Sequence, residues 1–226
     1  MKRLLINQPG RHGDIIICLP IAHYYSQFYQ IDWLCPSQYH SNFRNINYCR
    51  PVDRPDGEYA RTLHLEFGLE KYSEVHKWWE KRRENNESFV KAKYFLAGVP
   101  ISYRRNLVWN RSFGREAGLF LRVANTQPYI LCHESTHDGS HVKMDFPNKV
   151  EFREFEDYNI FDWYQVIMSA KEIHCIDSSL CNFVEVLPYK GRKVYYKTAR
   201  NAWNWNNTLI SNDWEVVEWK NAGVEI

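Results

Sequence analysis

Three short stretches of this chain combine residue types that do chemistry with a spacing that lets them cooperate. The first is "INQPGRHGDII", residues 6–16. An apolar run ends in a loop carrying Gly10 and Gly13, and Asp14 follows at once. Such glycines permit positive φ and let a ligand come close to the backbone. Asp14 would stand at the carboxyl end of a strand, where open α/β sheets bind their ligands. Two roles suit it there: N-cap of the following helix, or a carboxylate that takes a proton from a substrate. The loop is not G-x-G-x-x-G, and an acid beside it would repel a phosphate. Gly10, His12, Gly13 and Asp14 therefore suit a general base better than a nucleotide site.

The second stretch is His133-Glu134-Ser135-Thr136-His137, a literal H-E-x-x-H. On a helix, His133 and His137 would hold zinc and Glu134 would activate the metal-bound water, as in a zinc hydrolase. The flanks argue for another local structure. "PYILC" (128–132) reads as a buried strand, and Asp138-Gly139-Ser140 is turn chemistry. Ser135 and Thr136 are mediocre helix formers. Where the extended zinc motif would supply its third ligand, this chain has Lys143. The expectation is a strand entering a polar loop, with no metal.

The third stretch is "KEIHCIDSSLCNFVEVL", residues 171–187. A buried strand ends in Asp177-Ser178-Ser179, where a short helix begins. Backbone N–H groups and hydroxyls at a helix start attract an anion such as a nucleotide diphosphate. Asp177 suits either a sugar or ribose hydroxyl or the role of helix cap. His174, in the middle of the strand, reads as core.

The elements that must position these residues alternate along the chain. Strands are expected at 4–7, 31–36, 46–52, 60–67, 129–133, 149–155, 172–176 and 193–197. Helices are expected from Asp14 to about Tyr29, over 38–43, through most of 70–98 with Ser73 and Ser88 as caps and Gly98 as the stop, and at 114–124, 160–170 and 180–187. Alternation of this kind means βαβ units and parallel sheets. Residues 100–111 lack periodicity and suit a joint between halves at 1–105 and 106–226. "NAWNWNN" (201–207) takes no clear assignment.

The chain has 226 residues, 44% hydrophobic and 25% charged, enough for a real core in one large or two small domains. An aromatic share of 16% suits stacking on sugars or bases as well as core packing. A net charge of +2 does not describe a strongly basic nucleic-acid binder, so a nucleic-acid acceptor has no support from it. The six cysteines are scattered without C-x-x-C and read as buried, reduced thiols. The opening apolar run is too short for a signal peptide, and no stretch is long enough to span a membrane, so a cytoplasmic protein is expected.

The order of these features resembles the ADP-heptose:lipopolysaccharide heptosyltransferase family. "LLINQPGRHGDIIICLPIAHYY", "IDWLCP", "YILCHESTHDGS" and "FDWYQVIMSAKEIHCIDSSLCNFVEVL" carry the likeness over most of the chain. The resemblance implies a GT-B-like fold: two Rossmann-like halves with parallel sheets and a cleft between them. It implies that Gly10–Asp14 matches the family's G-x-x-G-D loop, with Asp14 as catalytic base. It implies that Asp177-Ser178-Ser179 matches a D-S-G motif that binds the sugar nucleotide, Ser179 replacing the glycine. The family's histidine a few residues later is absent, with Asn182 or Phe183 near its place. The loop from His133 through Ser135 to Ser140 would help hold the donor phosphates. The implied activity is metal-independent transfer of a sugar from a nucleotide-sugar donor, with no other cofactor, to a carbohydrate or glycoconjugate hydroxyl. A non-catalytic sugar- or nucleotide-binding module is the alternative on the same fold, and a zinc hydrolase through His133, Glu134 and His137 is the other.

Overall fold

The computed structural model describes residues 1–66, 74–84, 88–124, 127–135, 141–197, 209 and 211–218. The chain forms two compact units, Met1–Asn110 and Arg111–Ile226. The first keeps the segment after Arg105 because the backbone of Asn110 donates to the Asn45 carbonyl at 2.7 Å. The Asn45 amide returns a bond of 2.7 Å, and Leu107 is buried.

In the first unit, β1 (Lys2–Asn7), β2 (Tyr29–Leu34), β3 (Cys49–Val52) and β4 (Arg61–His64) form a parallel sheet in the order β3-β2-β1-β4. β1 is an interior strand, and Leu4, Leu5 and Ile6 are all buried. An unbroken apolar run is what burial on two faces demands. Helix α1 (His12–Ser26) follows β1, and every residue from Ile15 to Ala22 is buried. It packs against α3 (Phe89–Ala97) and a 3₁₀ turn at Ile101–Arg105, with α2 (Glu74–Glu84) beside α3. α3 stops at Gly98, whose φ of 68° lies in the left-handed region. There the N–H groups of Gly98 and Val99 cap the carbonyls of Phe95 and Tyr94 at 3.0 Å each.

The second unit contains α4 (Phe113–Val123), β5 (Ile130–His133), β6 (Lys149–Glu151), α5 (Tyr164–Ser169), β7 (Glu172–Ile176), α6 (Ser179–Val184), β8 (Arg192–Tyr196) and β9 (Glu215–Val217). Its five strands are parallel in the order β6-β5-β7-β8-β9. Leu131, Cys132, Ile173, Cys175 and Ile176 form its buried middle. All six cysteines of the chain are buried and unpaired.

Several sequence expectations change in detail. α1 begins at His12, with Arg11 at the N-cap, so Asp14 is not the cap. Its carboxylate pairs with Lys93 instead. The strand expected over 46–52 starts only at Cys49, and the one over 149–155 ends at Glu151. The helix expected over 160–170 opens as a 3₁₀ turn, Ile160–Trp163, before α5. Asn159 caps that turn, and Asp162 accepts the Asn159 N–H at 2.9 Å to complete a capping box. β9 was not anticipated. Ser73, His137, Ser140 and the 201–207 segment lie outside the described residues.

Candidate functional site

In the first unit, the loop after β1 and the start of α1 lie at the carboxyl edge of the sheet. Gly10, His12, Gly13 and Asp14 occupy that edge with Asn7 and His64, the paired ends of β1 and β4, which approach at 3.3 Å through Asn7 Nδ2 and His64 Nδ1. His12 Nδ1 meets Asn42 Oδ1 at 2.9 Å, and the His12 ring stands edge-on to Tyr39. Position 10 has no room for a side chain. A Cβ there would lie 2.5 Å from Gln8 Nε2 and 2.9 Å from both Cβ and Oδ2 of Asp14. The glycine lets these two side chains close over the backbone.

Asp14 has a partner that the motif does not contain. Lys93 of α3 places Nζ 3.1 Å from Asp14 Oδ1, with the lysine side chain 2% exposed and the aspartate side chain 30% exposed. The same ammonium donates to the Leu65 carbonyl at 2.7 Å and to Gln8 Oε1 at 3.3 Å. Burial alone would lower the affinity of Lys93 for its proton. The negative charge of Asp14 and Glu66 outweighs burial and raises it, so the group stays an ammonium. Sequence reading missed Lys93. A signal for it exists, because residues 90, 93, 94 and 97 form the buried stripe of α3 and a lysine stands in that stripe.

In the second unit, His133 ends β5 beside Cys175 of β7, so His133, Ser135, Asp177, Ser178 and Ser179 share the carboxyl edge of this sheet. Ser178 is the N-cap of α6, its hydroxyl accepting the Cys181 N–H at 3.3 Å. The Asn182 amide donates to the Ser178 carbonyl at 3.0 Å, so Asn182 braces this turn. Ser135 bridges to His141, with Oγ 3.1 Å from Nδ1.

The zinc geometry is not formed at the described end of the H-E-x-x-H stretch. His133 closes a strand, and Glu134 is committed to structure: its carboxylate accepts the Met144 N–H and a 3.0 Å ion pair from Lys149. The His133 ring packs edge-on against Phe152, and its Nδ1 is buried with no hydrogen-bond partner among the described residues. Burial pulls this imidazole down to about 4 against the opposing pull of Glu134, so it is neutral near pH 7. Among the described residues no group of three His, Cys, Asp or Glu side chains is arranged to hold a metal ion. His174 is core, as expected, with Nδ1 3.0 Å from the Tyr196 hydroxyl and Nε2 3.3 Å from Glu172.

Fold and edges together define an α/β protein of two Rossmann-like units, each presenting a polar loop-to-helix turn at the carboxyl end of a parallel sheet. Solved structures that share this fold include glycosyltransferases. A glycosyl transferase family 9 protein from Veillonella parvula matches with a TM-score of 0.59 at 9% identity, over 96% of this chain and 86% of its own. E. coli heptosyltransferase WaaC with ADP matches with a TM-score of 0.55 at 12% identity, over 96% and 90%. The iron-containing dodecameric glycosyltransferase TibC of E. coli matches at 0.50 and 11% identity, over 87% of this chain and 58% of that one. No protein-family model and no curated protein sequence matches the chain. No described helix is long and apolar enough to cross a membrane.

Proposed function

We propose that this chain is a metal-independent glycosyltransferase that moves a sugar from a nucleotide-sugar donor to an acceptor hydroxyl. One observation carries this reading most: the glycosyltransferase fold extends over 96% of the chain, with Asp14 at a sheet's carboxyl edge, part-exposed and salt-bridged from behind. In the reaction, Asp14 takes the acceptor's proton as its oxygen attacks the anomeric carbon. The bond from that carbon to the diphosphate breaks, and the diphosphate leaves with the electron pair. The N-terminus of α6, with Ser178 and Ser179, and the turn after β5, with His133 and Ser135, hold that developing charge. Asp177 bonds a hydroxyl of the donor.

The test has two arms. A thermal-stability panel of nucleoside diphosphates and nucleotide sugars identifies the donor, since a ligand at one hundred times its Kd adds about 2.7 kcal/mol. Asp14→Asn is then expected to keep donor affinity and lose at least a hundredfold in turnover, the order expected for a general base. A wild type that binds a nucleotide sugar but transfers nothing to water or to any acceptor supports a binding module instead.

A further inference from the structure

The Lys93–Asp14 pair sits oddly for a fold-stabilising contact. Lys93 lies in the buried stripe of α3 among Val90, Tyr94 and Ala97, where an apolar side chain would pack without desolvating a charge. Its acceptors include groups from three elements at one sheet edge: Gln8 after β1, Leu65 after β4 and Asp14 in the first turn of α1. The pair is also lopsided, with the ammonium sealed in and the carboxylate reaching the surface. The lysine approaches Oδ1, while Oδ2 faces the bare backbone of Gly10. Among the described residues, the other charged or titratable groups whose fields reach Lys93 are Glu66 and Cys18 of α1. The Cys18 thiol is pushed up to about 12 by burial, so it carries no charge near neutral pH. Lys93 is thus the cation that directly contacts the carboxylate from the protein's interior.

We propose that Lys93 is the positioning residue of the catalytic base: it fixes Oδ1 of Asp14 and leaves Oδ2 to receive the acceptor's proton. This rests on the glycosyltransferase reading. In the ground state the lysine bears its proton throughout. When Oδ2 takes the acceptor's proton, the ion pair becomes an ammonium beside a neutral acid. No other bond changes at Lys93.

The decisive experiment is a double-mutant cycle of Lys93→Met and Asp14→Asn, read by turnover of the nucleotide sugar that the stability panel identifies. Lys93→Met is expected to lower kcat about 10- to 100-fold with the donor's KM little changed. In the Asp14→Asn background the same change should cost nothing further, because Lys93 acts only through the carboxylate. Equal losses in both backgrounds would overturn the proposal and leave Lys93 a core brace. Lys93→Gln, which keeps a donor without the charge, guards against misfolding and should fall between wild type and Lys93→Met.

A second readout needs no substrate. Titration of the ¹⁵N-labelled Lys93 ammonium by NMR should show it losing its proton at lower pH in Asp14→Asn than in wild type. An unchanged titration would overturn the pairing itself. A wild type that turns over no nucleotide sugar sinks the transferase reading and, with it, Lys93's catalytic role. The NMR result then shows separately whether the pair exists.

Discussion

At the scale of single residues, the chemistry is set by what surrounds each group. His133 makes the point. Its ring ends a strand, is mostly buried and is held down to about 4. In the unfolded chain it would take a proton near pH 6.5. Between these values the unfolded state binds a proton that the folded state refuses, so stability falls as the pH drops through that window. The full loss is roughly 3 kcal/mol by pH 4, at about 1.4 kcal/mol per unit. His133→Gln should remove most of this acid sensitivity, measured as the urea midpoint between pH 7 and 4. Parallel curves for the two proteins would show that the histidine titrates normally in the fold. Asp14, Ser178 and His133 were legible in the sequence because each stands beside a glycine, a helix start or a proline-led strand that marks its place. Lys93 was not, because its partners lie 28, 79 and 85 positions away in the chain and meet it only once α3 folds back on the sheet.

At the scale of elements, turns and latches decide whether those residues stay in place. The turn from β1 into α1 is closed over Gly10. Gly10→Ala must displace both Gln8 and Asp14, since its Cβ would lie 2.5 Å from Gln8 Nε2 and 2.9 Å from Cβ and Oδ2 of Asp14. The expected cost is about 1–3 kcal/mol, typical of overpacking, with turnover lost as Asp14 leaves Lys93. A crystal structure or the Lys93 NMR signal would register the displacement, and an unmoved Asp14 would contradict it. β9 depends on a different device. Glu185, just after α6 and 5% exposed, accepts the Ser211 N–H at 2.7 Å, the Ser211 hydroxyl at 2.9 Å and the Trp214 indole N–H at 2.6 Å. Glu185→Ala leaves buried donors without an acceptor and should cost about 2–3 kcal/mol. Amide exchange should quicken in β9 well before β7, and uniform quickening would mean the latch is not local. β1 and β7 could be read as strands because interior parallel strands need continuous apolar runs. β9 could not, because an edge strand of three residues, Glu215-Val216-Val217, carries almost no pattern. Its position comes from Glu185, far earlier in the chain.

At the scale of the molecule, the alternation of strands and helices foretold two parallel sheets. It could not foretell which unit receives which half of a donor, because both units end their central strands in similar turns. The transferase reading assigns the nucleotide to the second unit and the base to the first. Hydrogen exchange over the whole chain separates these assignments. A nucleoside diphosphate should slow exchange at His133–Ser135 and at the start of α6, around Ser178–Cys181, and leave Gly10–Asp14 unchanged. The matching nucleotide sugar should protect the same amides and also those of Gly13 and Asp14, because only its sugar reaches the base. Asp177→Ala should weaken both ligands by about 1–3 kcal/mol, the range for one lost hydrogen bond to a charged group. Protection by the diphosphate alone at Gly10–Asp14 would reverse the roles of the two units. Identical protection by diphosphate and nucleotide sugar would mean that the sugar never meets Asp14. A base that does not meet the sugar cannot deliver an acceptor oxygen to it, so in that case Asp14 and its lysine would have to serve some other reaction.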